Sequence, residues 1–168
     1  MKSTIIMMCG CCGSGKSTFS KKKEKEEGYI RLSIDEMVWE KYGRHGIDYP
    51  VEKYREILDN TDKELRQKLS ELIIQGKNIV IDSSFWRKST RESYRDFIEQ
   101  VGINEGIVKE IQLIYLKSDY ETLKNRLKIR NQSINANSPF EITNEILDHH
   151  FNGFQEPLNE NEIIILQK

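Results

Sequence analysis

Residues Gly10-Cys11-Cys12-Gly13-Ser14-Gly15-Lys16-Ser17 follow the spacing G-x-x-x-x-G-K-[ST], and Thr18 comes next. Residue types in that order suit the cradling of a polyphosphate. Glycines let the backbone curl until successive N–H groups point at phosphate oxygens. A helix opening near Lys16 adds the partial positive charge of its N-terminus. Lys16 is then placed to reach the β- and γ-phosphates, and the Ser17 hydroxyl to ligate Mg2+. Gly10, Gly13, Ser14, Gly15, Lys16, Ser17 and Thr18 are therefore the candidate nucleotide-binding residues. ATP is the expected nucleotide, with GTP left open, and Mg2+ is expected beside it. Cys11 and Cys12 read as small loop fillers.

A phosphate loop serves switch GTPases, ATPases and kinases alike, so other residues must decide. No guanine-reading N-K-x-D segment occurs, which weakens the GTPase reading. A motor ATPase needs more chain than 168 residues. Asp35 follows the predicted strand end Arg31-Leu32-Ser33-Ile34, and Asp82 follows Asn78-Ile79-Val80-Ile81. In a parallel sheet, strand C-termini face the ligand crevice. Asp82 there suits holding Mg2+ or its water. Asp35 is then free to accept a proton from an attacking hydroxyl, which describes a kinase. The competing reading makes each aspartate a helix cap.

Arg126 and Arg130 stand one helical turn apart and run into a polar segment, 131–142, that carries Pro139. As lid arginines they would stabilise charge on a transferring phosphoryl group. They could equally belong to a solvated basic face with Lys124 and Lys128. On the acceptor side, Trp39 and Tyr42, with Tyr49, could stack on a flat ligand, or could pack the chain after Asp35 onto the next helix. Arg87 could hold an anionic group. Ser89 is a candidate helix cap, with Arg91 and Arg95 on that helix's exposed face. His45 reads as a surface residue. His149 and His150 are adjacent and lack partners at zinc-ligand spacing.

These residues need a scaffold to meet. Short apolar runs at 4–9, 29–34, 78–82, 111–116 and 163–166 suit strands buried on both faces. Between them lie segments of helical period at 17–27, 51–75 and 89–101, one opening with a capping box at Ser118, and one at 143–151. Gly28, Gly76 and Gly102 read as helix stops. The alternation predicts one α/β domain over 1–168, with a parallel sheet and a lid near 127–142.

Lys+Arg number 26 against 27 Asp+Glu, so the net charge of −1 excludes a globally basic nucleic-acid binder. No apolar run approaches the roughly 18 residues of a membrane helix. Cys9, Cys11 and Cys12 crowd into four positions and cannot staple distant segments. A reducing, cytoplasmic setting is expected, with no membrane partner.

The chain resembles the small P-loop kinases called AAA_33, close to the kinase domain of 5′-hydroxyl polynucleotide kinases. Zeta-toxin-like and antibiotic phosphotransferases are more distant relatives. The resemblance rests on GCCGSGKST at 10–18, LSIDE at 32–36, VIDSSFWRKSTR at 80–91 and NRLKIRN at 125–131. It implies a three-layer α/β/α fold with strand order 2-3-1-4-5. It also implies Lys16 and Ser17 as phosphate and metal ligands, Asp35 as general base, and Arg126 and Arg130 as lid arginines. Polynucleotide kinases carry an arginine three residues after the base; Val38 stands there in this chain. A hydroxyl-bearing small-molecule or nucleotide-like acceptor is therefore expected ahead of a nucleic acid. The alternatives are a 5′-hydroxyl polynucleotide kinase, and a P-loop ATPase or nucleotide switch without an acceptor.

Overall fold

A computed structural model describes residues 2–107 and 109–168. Its first strand, β1 (Ser3–Cys9), is the centre of a five-stranded parallel sheet. The order is β2 (Ile30–Ser33), β3 (Ile79–Asp82), β1, β4 (Lys109–Lys117) and β5 (Glu162–Leu166). Met7 is in register with Ile81 on one side and with Leu113 on the other. A strand flanked on both sides and covered on both faces can be apolar throughout, as Ile5-Ile6-Met7-Met8-Cys9 is.

Helices cover both faces, because alternate residues of β1 point opposite ways. Ile5, Met7 and Cys9 join Leu65, Leu69 and Ile73 of α3 (Tyr54–Ile74) and Ile98 of α4 (Lys88–Glu105). Ile6 and Met8 join Val80, Ile114 and Phe19 of α1 (Lys16–Glu27). Leu123 and Leu127 of α5 (Tyr120–Arg130) pack with Leu147 of α6 (Asn144–Gly153) and with Cys11 behind the phosphate loop. Among the described residues, no helix is long and apolar enough to cross a membrane.

Three helices differ from the sequence expectation. A further helix, α2 (Ile34–Tyr42), begins directly after β2, capped by Ser33 Oγ, which accepts from Glu36 N. Asp35 therefore lies in a helix's first turn rather than on a strand's tail. Helix α4 runs past Gly102 and ends at Gly106. A Cβ at Gly102 would come within 3.1 Å of the Ile107 carbonyl, so this glycine permits close packing rather than stopping the helix. The cap of α5 is Asp119, which accepts from Thr122 N, one residue after the expected Ser118. Ser89 does not cap α4; Arg87 occupies that position without a side-chain bond.

Candidate functional site

The turn from β1 into α1 wraps closely. A Cβ on Gly10 would lie 2.6 Å from Ser14 Oγ and 2.8 Å from the Leu116 carbonyl. Gly15 caps α1 at φ +98°, a left-handed conformation that other residues adopt at a cost. The Lys16 ammonium donates to the carbonyls of Gly10 and Cys11, each at 2.8 Å. That bridging holds the charge over the loop. Burial pulls the Lys16 pKa down, against the opposing pull of Asp82. Burial also pushes Cys9 up to about 12 and Cys11 to about 11, so both stay neutral thiols.

Gly13, Gly15, Lys16, Ser17 and Thr18 line an open cleft of about 1630 Å3. Asp35, Asp82, Arg126 and Arg130 line the same cleft. Gly10 and Ser14 shape the loop behind it. The parallel sheet brings these residues together because β1, β2 and β3 all end on this side.

Asp35 carries no hydrogen bond from its carboxylate to any other described residue. Burial, then the neighbouring Asp82 charge, raises its pKa to about 6; Arg130, Lys16 and Arg31 pull the other way. A carboxylate poised there suits proton transfer near neutral pH.

Asp82 has partners that the sequence did not disclose. Its Oδ2 accepts from Ser20 Oγ at 2.9 Å and from Arg31 Nη2 at 2.6 Å. Ser20 in turn accepts from Arg31 Nε at 2.8 Å. The available signal was a single arginine inside the apolar strand β2, with its partner 51 residues away. These bonds take one carboxylate oxygen and leave Oδ1 without a partner among the described residues. Ser17 lines the cleft, and its hydroxyl likewise has none. A hydroxyl and a carboxylate oxygen beside a phosphate loop fit the oxygen ligands that Mg2+ prefers.

Arg126 Nη1 donates to the Ser14 carbonyl at 3.4 Å, and Nη2 to the Lys168 carbonyl at 2.9 Å. Arg130 Nε donates to Ser138 Oγ at 2.9 Å, and Nη2 to the Asn137 carbonyl at 2.8 Å. The 131–142 loop is closed at its base by two bonds between Asn131 and Ile142, 2.9 and 3.0 Å long.

The acceptor-side residues are placed differently from the sequence reading. Trp39 and Tyr42 lie on α2 and do not line the cleft; Tyr42 packs with Val38, Tyr49 and Ile57. Arg87 is exposed at the start of α4, with its guanidinium 5.5 Å from the Trp86 ring. The rings that line the cleft are Phe19, Tyr54, Trp86, Phe140 and His150. Tyr54 escaped notice because it falls on the apolar stripe of a long helix, where aromatics ordinarily pack the core. His45 is half-buried rather than on the surface, with its ring 4.6 Å from Phe140 and 4.8 Å from Tyr54. Arg91, expected on an exposed face, is fully buried and paired with Glu160 at 2.8 Å.

The AAA_33 profile, described as an AAA domain, matches residues 5–157. No curated protein matches the chain in sequence. Solved structures similar in fold include a gluconokinase from Sinorhizobium meliloti 1021, 17% identical, with TM-score 0.58 over 98% of this chain and 82% of that one. A protein of Chloroflexus aurantiacus described as a candidate kinase is 13% identical, with TM-score 0.71 over 99% and 89%. A chain of the Pnkp1/Rnl/Hen1 RNA repair complex is 18% identical, with TM-score 0.62 over 91% of this chain and 46% of that one.

Proposed function

The chain belongs to the AAA_33 family of AAA domains, and from that premise we propose that it is an ATP- and Mg2+-dependent kinase. It moves the γ-phosphoryl group to a hydroxyl of a small-molecule or nucleotide-like acceptor, in a cytoplasmic setting. The observation that carries this reading is Asp35, raised to about 6, in one cleft with Lys16. An ATPase or switch has no need of a second carboxylate tuned in this way.

Lys16 and the loop amides neutralise the phosphates. Ser17 and Asp82 would hold Mg2+ beside the phosphates. Bound there, the ion neutralises charge on the β- and γ-oxygens. Asp35 accepts the acceptor's hydroxyl proton as that oxygen bonds to the γ-phosphorus and the bond to ADP breaks. Arg126 and Arg130 balance the charge on the moving group.

A small acceptor is favoured over a nucleic-acid strand by the wall opposite the loop. That wall mixes Asp59 and Asp62 with Lys63 and Arg66, and Arg66 is already paired with Asp62. Val38 is 3% exposed in a side cluster, so its position reads no phosphate.

The test is transfer from γ-labelled ATP to nucleosides, 5′-hydroxyl oligonucleotides, sugars and aminoglycosides, with Asp35→Asn as control. Label on one acceptor class, lost in the control, is expected. Label released only as free phosphate, at a rate no acceptor changes, would sink the reading.

A further inference from the structure

We propose that Asn137 is a positioning residue, latching the 131–142 loop to β2 and α2 and thereby seating Arg130 at the phosphoryl site. The inference rests on the kinase reading for its catalytic consequence, but the latch itself is a property of the fold.

Every hydrogen-bonding group of Asn137 is engaged. Its Oδ1 accepts from Arg31 Nη2 at 2.7 Å, and its Nδ2 donates to Glu36 Oε1 at 2.8 Å. Its carbonyl accepts from Arg130 Nη2, and its N–H donates to Asn135 Oδ1 at 2.9 Å. The side-chain bonds cross 106 and 101 residues of sequence, so they tie the loop to elements that its local contacts do not reach. Arg31 is itself sealed, with a side chain 3% exposed and pinned by Asp82 and by Glu36 at 2.7 Å. An unbroken chain therefore runs from Asp82 through Arg31 and Asn137 to Arg130. It joins the carboxylate assigned to the metal with the arginine assigned to the phosphoryl group. Elsewhere in the loop, the Phe140 ring packs on His45 and Tyr54.

The chemistry of the position is narrow. It must accept from a guanidinium and donate to a carboxylate within one short side chain, and the asparagine amide does both. An aspartate would keep the shape and the bond to Arg31. It would lose the donor and bring a second negative charge against Glu36. Glu36→Gln in the same chain would remove that repulsion, and because Glu36 Oε1 also accepts from Arg31 Nη1 the rescue is partial.

The experiment compares the wild type with N137D, N137A, and N137D combined with E36Q. Backbone hydrogen exchange across 131–142, without nucleotide, reads the latch. Faster exchange in N137D and N137A, slowed again by E36Q, is expected; exchange unchanged in both single variants overturns the latch. Single-turnover transfer reads the consequence. N137D should slow it roughly 100-fold, the scale of a misplaced catalytic group, while the ATP Kd moves less than about threefold because the phosphate loop is untouched. Adding Arg130→Ala to N137D should slow transfer no further, since both remove one device. Losses that multiply would separate Asn137 from Arg130 and overturn the positioning role. If the wild type transfers to no acceptor, the kinase reading fails, and the exchange data alone decide the latch.

Discussion

The Arg31 guanidinium lies on the Asp82 carboxylate, Nη2 to Oδ2 at 2.6 Å, with both side chains almost sealed from water. Arg31→Met should leave that carboxylate buried with two of its three hydrogen bonds gone, a loss of about 3–5 kcal/mol. Chemical denaturation should show the loss. Adding Asp82→Asn should recover part of it, because the stranded charge is then removed.

Asp35 couples stability to pH with a sign that can be stated in advance. Its pKa in the fold, about 6, exceeds the ordinary 3.8. The fold thus favours the neutral acid. That contribution is complete below pH 3.8 and is lost as pH rises through 6. Asp35→Asn, which cannot ionise, should gain on the parent between pH 4 and 7 by up to roughly 3 kcal/mol. Unfolding curves at the two pH values measure it, and an equal difference at both would refute the shift.

The same group sets an acid limb for transfer. Proton acceptance requires the ionised form, so single-turnover rates should fall as pH drops below about 6. Asp35→Asn should lower the plateau by about 100-fold or more and abolish the limb.

Lys16→Ala should remove transfer and weaken ATP binding together, since the ammonium serves the nucleotide's phosphates before and during the reaction. Equilibrium binding of a fluorescent ATP analogue, beside the labelled-transfer assay, checks both effects. Retained transfer would displace Lys16 from the site.

Arg126→Ala and Arg87→Ala should part company. Arg126 faces the cleft beside Ser14, whereas Arg87 points outward over Trp86. Transfer should drop about 100-fold in the first and change less than twofold in the second, on the scale of one preorganised donor. Equal losses would move Arg87 into the acceptor site.

What the sequence disclosed followed the range of the constraint. The phosphate loop was legible because its geometry is set within eight residues. Strand order came through resemblance, and the alternation of strands and helices came from periodicity. Helix α2 stayed hidden because β2 runs into it with no residue between, so Leu32-Ser33-Ile34 reads as the end of one strand. Arg31 and Arg91 were opaque for a different reason. Each is a charge whose burial depends on a carboxylate 51 or 69 residues away. Trp39 and Tyr42 misled because an aromatic's type does not say whether it faces the cleft or the helix behind.

Ser20 gives the two halves of the cleft unequal thermodynamic character. By donating to Asp82 and accepting from Arg31, it ties the first helix to two strands one turn beyond the phosphate loop. The nucleotide half thus arrives already ordered, so little motional freedom is left for ATP to quench. The opposite wall carries the exposed side chains of Asp59 and Lys63 on α3, and their ordering falls on the acceptor. Calorimetry should accordingly find a smaller unfavourable entropy for ATP than for the acceptor that follows it.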